Sequence, residues 1–232
     1  LFCGIKEGET LIVVAKELLQ YEKKYVNYYL NIPKLCYKEK NIIKNEMVED
    51  INSLIFEDII TFMDMMEDSY NNSISKEYTL INSLTEFQLG YLSKDIISLA
   101  IEFSQLVGFS DISYIKVYNY DFKSKREIFL KDLFREDINY LEILKKHIMT
   151  QIKNFFDEIK GFEDEDYLNK NDIYLDEDNS FYFTHEFLIL PFSSCEIDEE
   201  ILNLIEFKIP FNKIYLYLNE YAIKNIVKKI IL

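Results

Sequence analysis

Between residues 23 and 66 the apolar period of the chain changes, and this change limits the folds open to it. In KKYVNYYLNIPKL, residues 23–35, Tyr25, Asn27, Tyr29 and Asn31 alternate with Val26, Tyr28, Leu30 and Ile32, the two-residue period of a strand. From about Asn45 to Ser69, Met47, Ile51, Leu54, Ile55, Asp58, Ile59, Phe62, Met63 and Met66 recur at helical spacing, with Asp58 the single interruption. A strand followed by a long one-faced helix needs a sheet for that face to cover. A first strand is supplied upstream by ETLIVVAKELLQ, residues 9–20, with its β-branched run Leu11–Val14. Pro33 cannot donate to a ladder and so is expected at a strand end or an edge. Met63, Met65 and Met66 read as part of a packed helix face and not as a soft binding stripe.

Downstream, strands are expected at about 77–91, 95–104, 112–120 and 127–130, with turns at Leu92–Asp95 and Lys123–Lys125. Strands this closely spaced imply an antiparallel meander. A second helix is expected near Arg135–Ile159, where Ile138, Leu141, Leu144, Ile148, Ile152, Phe155 and Ile159 share a face, with His147 beside them. The acidic runs Glu163–Asp166 and Asp176–Asp178 bracket a weak strand at Asp172–Leu175. Strands at 180–192 and 204–211 follow, and a last helix from Phe211 or Asn212 carries Lys224, Lys228 and Lys229 towards its end. The expected fold class is therefore α+β: an antiparallel sheet packed against two long amphipathic helices, with a shorter C-terminal helix. Two closely packed halves, 1–135 and 136–232, are expected.

Composition bounds the partners. Five Gly and three Pro leave loops to Asn, Asp, Lys and Ser, while 18 Phe and 18 Tyr supply the strands. A formal charge of −15 repels phosphate backbones and anionic lipid headgroups, which argues against nucleic acid and permits a basic partner, while also serving simply to keep the chain soluble. Cys3, Cys36 and Cys195 are too few and too far apart for a CxxC metal pattern or a self-contained disulfide framework, and are expected to be reduced. No stretch reaches the ~20 apolar residues of a membrane span, so any anchor is expected outside residues 1–232.

The motifs of catalysis are missing. There is no GxSxG elbow, no HExxH helix, and no GxGxxG or Walker pattern among the glycines at 4, 8, 90, 108 and 161, so no cofactor is expected. Asp176, Glu177, Asp178 and Ser180 alternate oxygens as a calcium loop does. However, the EF-hand's Gly at position six and Glu at twelve are absent, twelve falling on Phe187, and no metal is expected. His185 stands beside Glu186 at a bend between apolar half-strands, a turn position before it is an acid–base one.

Three ordered segments carry a family likeness: YNYDFKSKREIFLKDLF (118–134), FYFTHEFLILPF (181–192) and EFKIPFNKI (206–214). Together with the helical pair Ile51-Asn52 and the Glu196-Ile197 connection, they resemble the paired domains of unknown function in the extracellular part of lysozyme-sensing anti-sigma-V factors. The first half resembles domains that precede some peptidoglycan deacetylases. The likeness spans about residues 22–218. It departs from the family where a Gly-Gly-Ala-His stretch is replaced by Leu106-Val107-Gly108-Phe109-Ser110.

The resemblance implies a non-catalytic, extracytoplasmic binding module of a Gram-positive bacterium whose ligand is a cationic protein such as a lysozyme, or cell-wall glycan. Exposed aromatics are the expected contacts: Tyr114, Tyr118 and Tyr182, with His185. Two other classes compete with this reading. A wall-modifying hydrolase would show two carboxylates facing each other at roughly 5–9.5 Å. A plain intracellular domain would bind nothing.

Overall fold

The fold is seen in a computed structural model, which describes residues 12–23, 25–38, 46–72, 80–107, 110–160, 173–193 and 204–227. It is an α+β protein with a mixed six-stranded sheet, a three-stranded sheet and several helices. The chain divides into two units, Leu1–Glu127 and Ile128–Leu232. The expectations placed on Cys3, Gly108, Phe109, Glu163–Asp166, Cys195, Glu196-Ile197, Lys228 and Lys229 fall outside the described residues.

In the first unit, β1 (Ile12–Lys23) and β2 (Val26–Tyr37) form an antiparallel hairpin paired along its whole length. Helix α1 (Glu46–Asn72) follows, then β3 (Ile81–Leu92), β4 (Ile96–Val107), β5 (Ser110–Asp121) and the short β6 (Arg126–Glu127). The sheet order is β1-β2-β3-β4-β5-β6. The expected all-antiparallel arrangement is corrected at one ladder, because β2 and β3 run parallel from Val26↔Ile81 to Leu30↔Thr85. The cause is α1 itself. A helix between two neighbouring strands carries the chain back to its starting end, so the next strand enters in the same direction.

The described residues of β3 to β6 form the expected meander. Its last turn is shaped by the Asp121 carboxylate, which accepts from the Lys123 N–H at 2.9 Å and the Ser124 N–H at 3.0 Å. Lys125 closes that turn at a φ of 53°. The strand expected to reach residue 130 ends at Glu127. Leu130–Leu133 instead coil into a single 3-10 turn, with the Phe129 N–H donating to the Asp132 carboxylate at 3.0 Å.

One face of α1 closes the core of this unit. Val48, Ile51, Ile55, Ile59, Phe62 and Met66 are all buried, against Tyr28, Leu30, Leu35, Ile97, Leu99, Ile101 and Phe103 of the sheet. Asp58 does not break this face. It sits at its flank, accepting from the Tyr118 hydroxyl at 2.7 Å, with the Lys116 ammonium 3.5 Å from its other oxygen.

The second unit carries α2 (Tyr140–Lys160) and the antiparallel sheet β7 (Tyr182–Phe183), β8 (Phe187–Phe192) and β9 (Ile205–Pro210), with α2 against β9. Helix α2 begins later than expected because Phe134 is extended and bridges to Leu218. Asn139 then accepts from the Glu142 N–H as a helix cap. Leu144, Ile148 and Ile152 are its described buried stripe, and His147 is half-buried beside it.

The weak strand expected at 172–175 is not formed at Ile173–Leu175, where a polar turn follows and only Ile173 is buried. The expected single C-terminal helix is two, α3 (Phe211–Ile214) and α4 (Glu220–Asn225). Asn219 separates them. Its side chain donates to the Asp132 and Phe134 carbonyls and accepts from the Ala222 N–H, so it ties the break to the 3-10 turn and caps α4 at once.

Candidate functional site

The buried positions of β2 change parity along its length. Val26, Tyr28 and Leu30 are buried in its first half, Pro33 and Leu35 in its second. The change coincides with the end of pairing to β3 at Leu30, beyond which β1 is the backbone neighbour of β2 among the described residues. Pro33 therefore lies inside the strand and not at its end. It lies in the stretch with a single neighbour, where a missing N–H does least harm.

The open side of β2 is closed by a side chain from α1. The Leu35 N–H donates to Asn52 Oδ1 at 2.9 Å, and Asn52 Nδ2 donates to the Leu35 carbonyl at 3.0 Å. An amide side chain carries one acceptor and one donor group in the spacing of a peptide unit, so Asn52 stands in for the strand that has diverged.

Beside this contact lies a groove of about 380 Å³. Its strand side is Ile32, Pro33 and Lys34 of β2 with Glu17 of β1. Its helix side includes Glu49, Ser53, Phe56 and Glu57, which share one helical face. The volume lies within the range of small-molecule and side-chain pockets. Lys34 donates to Glu17 at 2.8 Å, and its ammonium pKa is raised first by that hydrogen bond and its charge, and further by Glu49. Glu49 and Glu57 have no hydrogen bond or ion pair among the described residues. Phe56 is 61% exposed and shares the lining with the apolar Ile32, Pro33 and Ile55. The groove thus offers a mixed lining with an exposed ring and unpaired carboxylates.

The four residues expected as contacts lie elsewhere. Tyr114 is half-buried, stacked on Phe103 at 5.1 Å and edge-on to Phe62 at 6.4 Å. Tyr118 is 3% exposed and Tyr182 is fully buried, so the expected exposed rings are inside, with only their hydroxyls reaching polar partners. Each such hydroxyl donates to a carboxylate whose second oxygen faces a lysine. For Tyr118 the partners are Asp58 and Lys116. For Tyr182 they are Glu206, at 2.5 Å, and Lys208, 3.4 Å from that carboxylate.

Burial first, and then the hydrogen bond to the carboxylate, hold both phenols far above their ordinary range. The tyrosine–carboxylate contact therefore ties β5 to α1 in the first unit and β7 to β9 in the second. His185 is exposed at the β7–β8 bend, where Thr184 Oγ1 accepts from the Glu186 and Phe187 N–H groups. Tyr114 and Tyr118 belong to the first unit, Tyr182 and His185 to the second.

Sequence reading missed Asn52 as the strand-edge partner and Glu49, Phe56 and Glu57 as the groove wall. A proline inside an alternating strand was the available sign that one side of β2 lacks a neighbour. Near Asp176 the calcium-like loop folds on itself, the Asp176 N–H donating to Asn179 Oδ1 and the Asp178 N–H to Asp176 Oδ1. Among the described residues no group of three or more His, Cys, Asp or Glu is placed to hold a metal ion. No helix among them is long and apolar enough to cross a membrane.

No protein-family model matches the chain, and no curated protein matches it. Solved structures do. A DUF3298-family protein from Pseudomonas aeruginosa is similar with a TM-score of 0.60 at 11% identity, over 94% of this chain and 97% of that one. A member of the same family from Bacteroides fragilis gives 0.55 at 14% identity over the same shares. At such identities the likeness is one of fold, and the fold it shares is that of a family of unknown function.

Proposed function

We propose that this chain is a binding module that engages a cationic protein outside the cytoplasm, and that the groove between α1 and the distal half of β2 receives it. The observation that carries the reading is the charge state of the groove: its lysine is already held by Glu17, whereas Glu49 and Glu57 are unpaired among the described residues. A formal charge of −15 over the chain would speed the encounter with a basic surface. The resemblance to the extracellular part of lysozyme-sensing anti-sigma-V factors supports a lysozyme as the first partner to try, and cell-wall glycan as the second.

The test is calorimetric titration of the whole chain with a lysozyme and with solubilised muropeptides at two salt concentrations, beside the variant Glu49→Gln/Glu57→Gln. Both positions are exposed, so the variant keeps the fold. The reading expects lysozyme binding that weakens with salt and falls at least about threefold in the variant, in line with charge pairs at a partly exposed rim. Failure to bind either ligand, binding indifferent to the two carboxylates, or turnover of the muropeptides would each refute it.

A further inference from the structure

Resting on the reading above, we infer that the groove selects an arginine side chain of its partner over a lysine, with Phe56 and Glu57 as the selecting residues. Asn52 commits both its carbonyl oxygen and its amide to Leu35, leaving the carboxylates as the wall's strongest acceptors, so the bound group is a donor. Glu49 and Glu57 stand eight residues apart on α1, a rise of about 12 Å, too far for one cationic head to meet both. Glu49 lies near enough to Lys34 to add to the rise of that ammonium's pKa, though it forms no ion pair with it among the described residues. Glu57 has no such neighbour in the groove and lines it together with Phe56, whose exposed ring takes part in no ring or cation contact among the described residues.

An exposed aromatic face beside an unpaired carboxylate suits a planar guanidinium, which stacks and donates through a fixed fork. An ammonium is a compact, strongly hydrated point charge. The apolar side chains of Ile32 and Pro33 on the strand side of the groove take the methylene stem, as long basic side chains bury their stems while the head stays polar.

The probes are acetyl-Gly-Arg-Gly-amide and its lysine counterpart, titrated by NMR into the full chain at low salt, with Phe56→Leu, Glu57→Gln and Glu49→Gln beside the wild type. The arginine peptide should bind about two- to fivefold tighter than the lysine peptide. Phe56→Leu, which keeps apolar bulk without a π face, should erase that preference. Glu57→Gln should weaken the arginine peptide more than Glu49→Gln does. Equal affinities, no binding of either peptide, or a preference that survives Phe56→Leu overturns the inference. If lysozyme binding still depends on Glu49 and Glu57 in that case, only the arginine selection fails. If lysozyme binding fails as well, the groove reading falls with it.

Discussion

Asn52 is the residue whose removal tests the reasoning about β2 most directly. Its side chain makes two hydrogen bonds with the Leu35 backbone, at 2.9 and 3.0 Å, where β3 has ceased to be a neighbour. Each such bond contributes about 0.5–1.5 kcal/mol net, and a buried backbone group left without a partner costs about 1–3 kcal/mol. Leu35 is 2% exposed, but the groove lies alongside and admits water to part of the gap, so Asn52→Leu should destabilise the chain by about 2–3 kcal/mol. Leucine is nearly isosteric, so lost packing contributes little and the hydrogen bonds are isolated.

Asn52→Asp keeps an acceptor for the Leu35 N–H but sets a carboxylate oxygen against the Leu35 carbonyl. It should cost at least as much at neutral pH and recover in acid, where the carboxylic acid regains a donor. Denaturant unfolding gives the overall loss, and hydrogen exchange at the Leu35 amide places it. If Asn52→Leu is within about 0.5 kcal/mol of wild type and Leu35 exchange is unchanged, the substitute-strand argument is wrong.

Further outcomes follow from the buried phenols and the tight turn. Tyr28 is pushed up to about 12 by burial, and Tyr118 and Tyr182 are raised further. In the unfolded chain these phenols ionise near 10, so their stabilisation is intact below about pH 10 and is lost as pH rises above it, by about 1.4 kcal/mol per pH unit for each. Tyrosinate absorbance at 295 nm should therefore rise for these three only as circular dichroism is lost, and ionisation near pH 10 without unfolding would contradict their burial. Tyr118→Phe should cost about 1–2 kcal/mol in denaturant, because it removes a hydrogen bond to a largely buried carboxylate and leaves Asp58 with Lys116 alone, and no loss would deny the hydrogen bond a structural role. Lys125→Gly should stabilise by up to about 1 kcal/mol, since φ of 53° disfavours a side chain, and a loss would mean that the lysine has a compensating contact.

Periodicity made α1 and most of its buried face legible, because a buried face must repeat its apolar positions, but Leu54 and Met65, grouped with that face, are exposed and the helix runs on to Asn72. The β1–β2 hairpin and the turn after Asp121 were legible for the same local reasons. What failed was non-local. Nothing in the sequence of β2 states that β3 lies parallel beside it, since that depends on where α1 delivers the chain. Strand alternation groups Tyr118 with Tyr114 but cannot say which face of β5 is covered, so a ring that ends at 3% exposure read as a surface contact. At the C-terminus, Phe211–Asn225 looks like one helix until Asn219 is seen holding the Asp132 and Phe134 carbonyls from far upstream. Asn52 was visible as half of an Ile-Asn pair, yet its role is set by Leu35, a residue on another element.

The divergence of β2 from β3 creates two problems with one solution. An unpaired stretch of strand invites pairing with another chain, and an open wedge exposes apolar surface. Here Pro33 presents no N–H and Asn52 occupies both polar groups of Leu35, so at these two residues the edge has no N–H left to offer an incoming strand. Recognition in the wedge therefore falls to side chains, and α1 divides its residues accordingly. Val48, Ile51, Asn52, Ile55 and Ile59 hold the fold, while Glu49, Ser53, Phe56 and Glu57 are exposed along the groove. Substitutions in the second set should change what binds without changing stability by more than about 0.5 kcal/mol, and substitutions in the first should do the reverse.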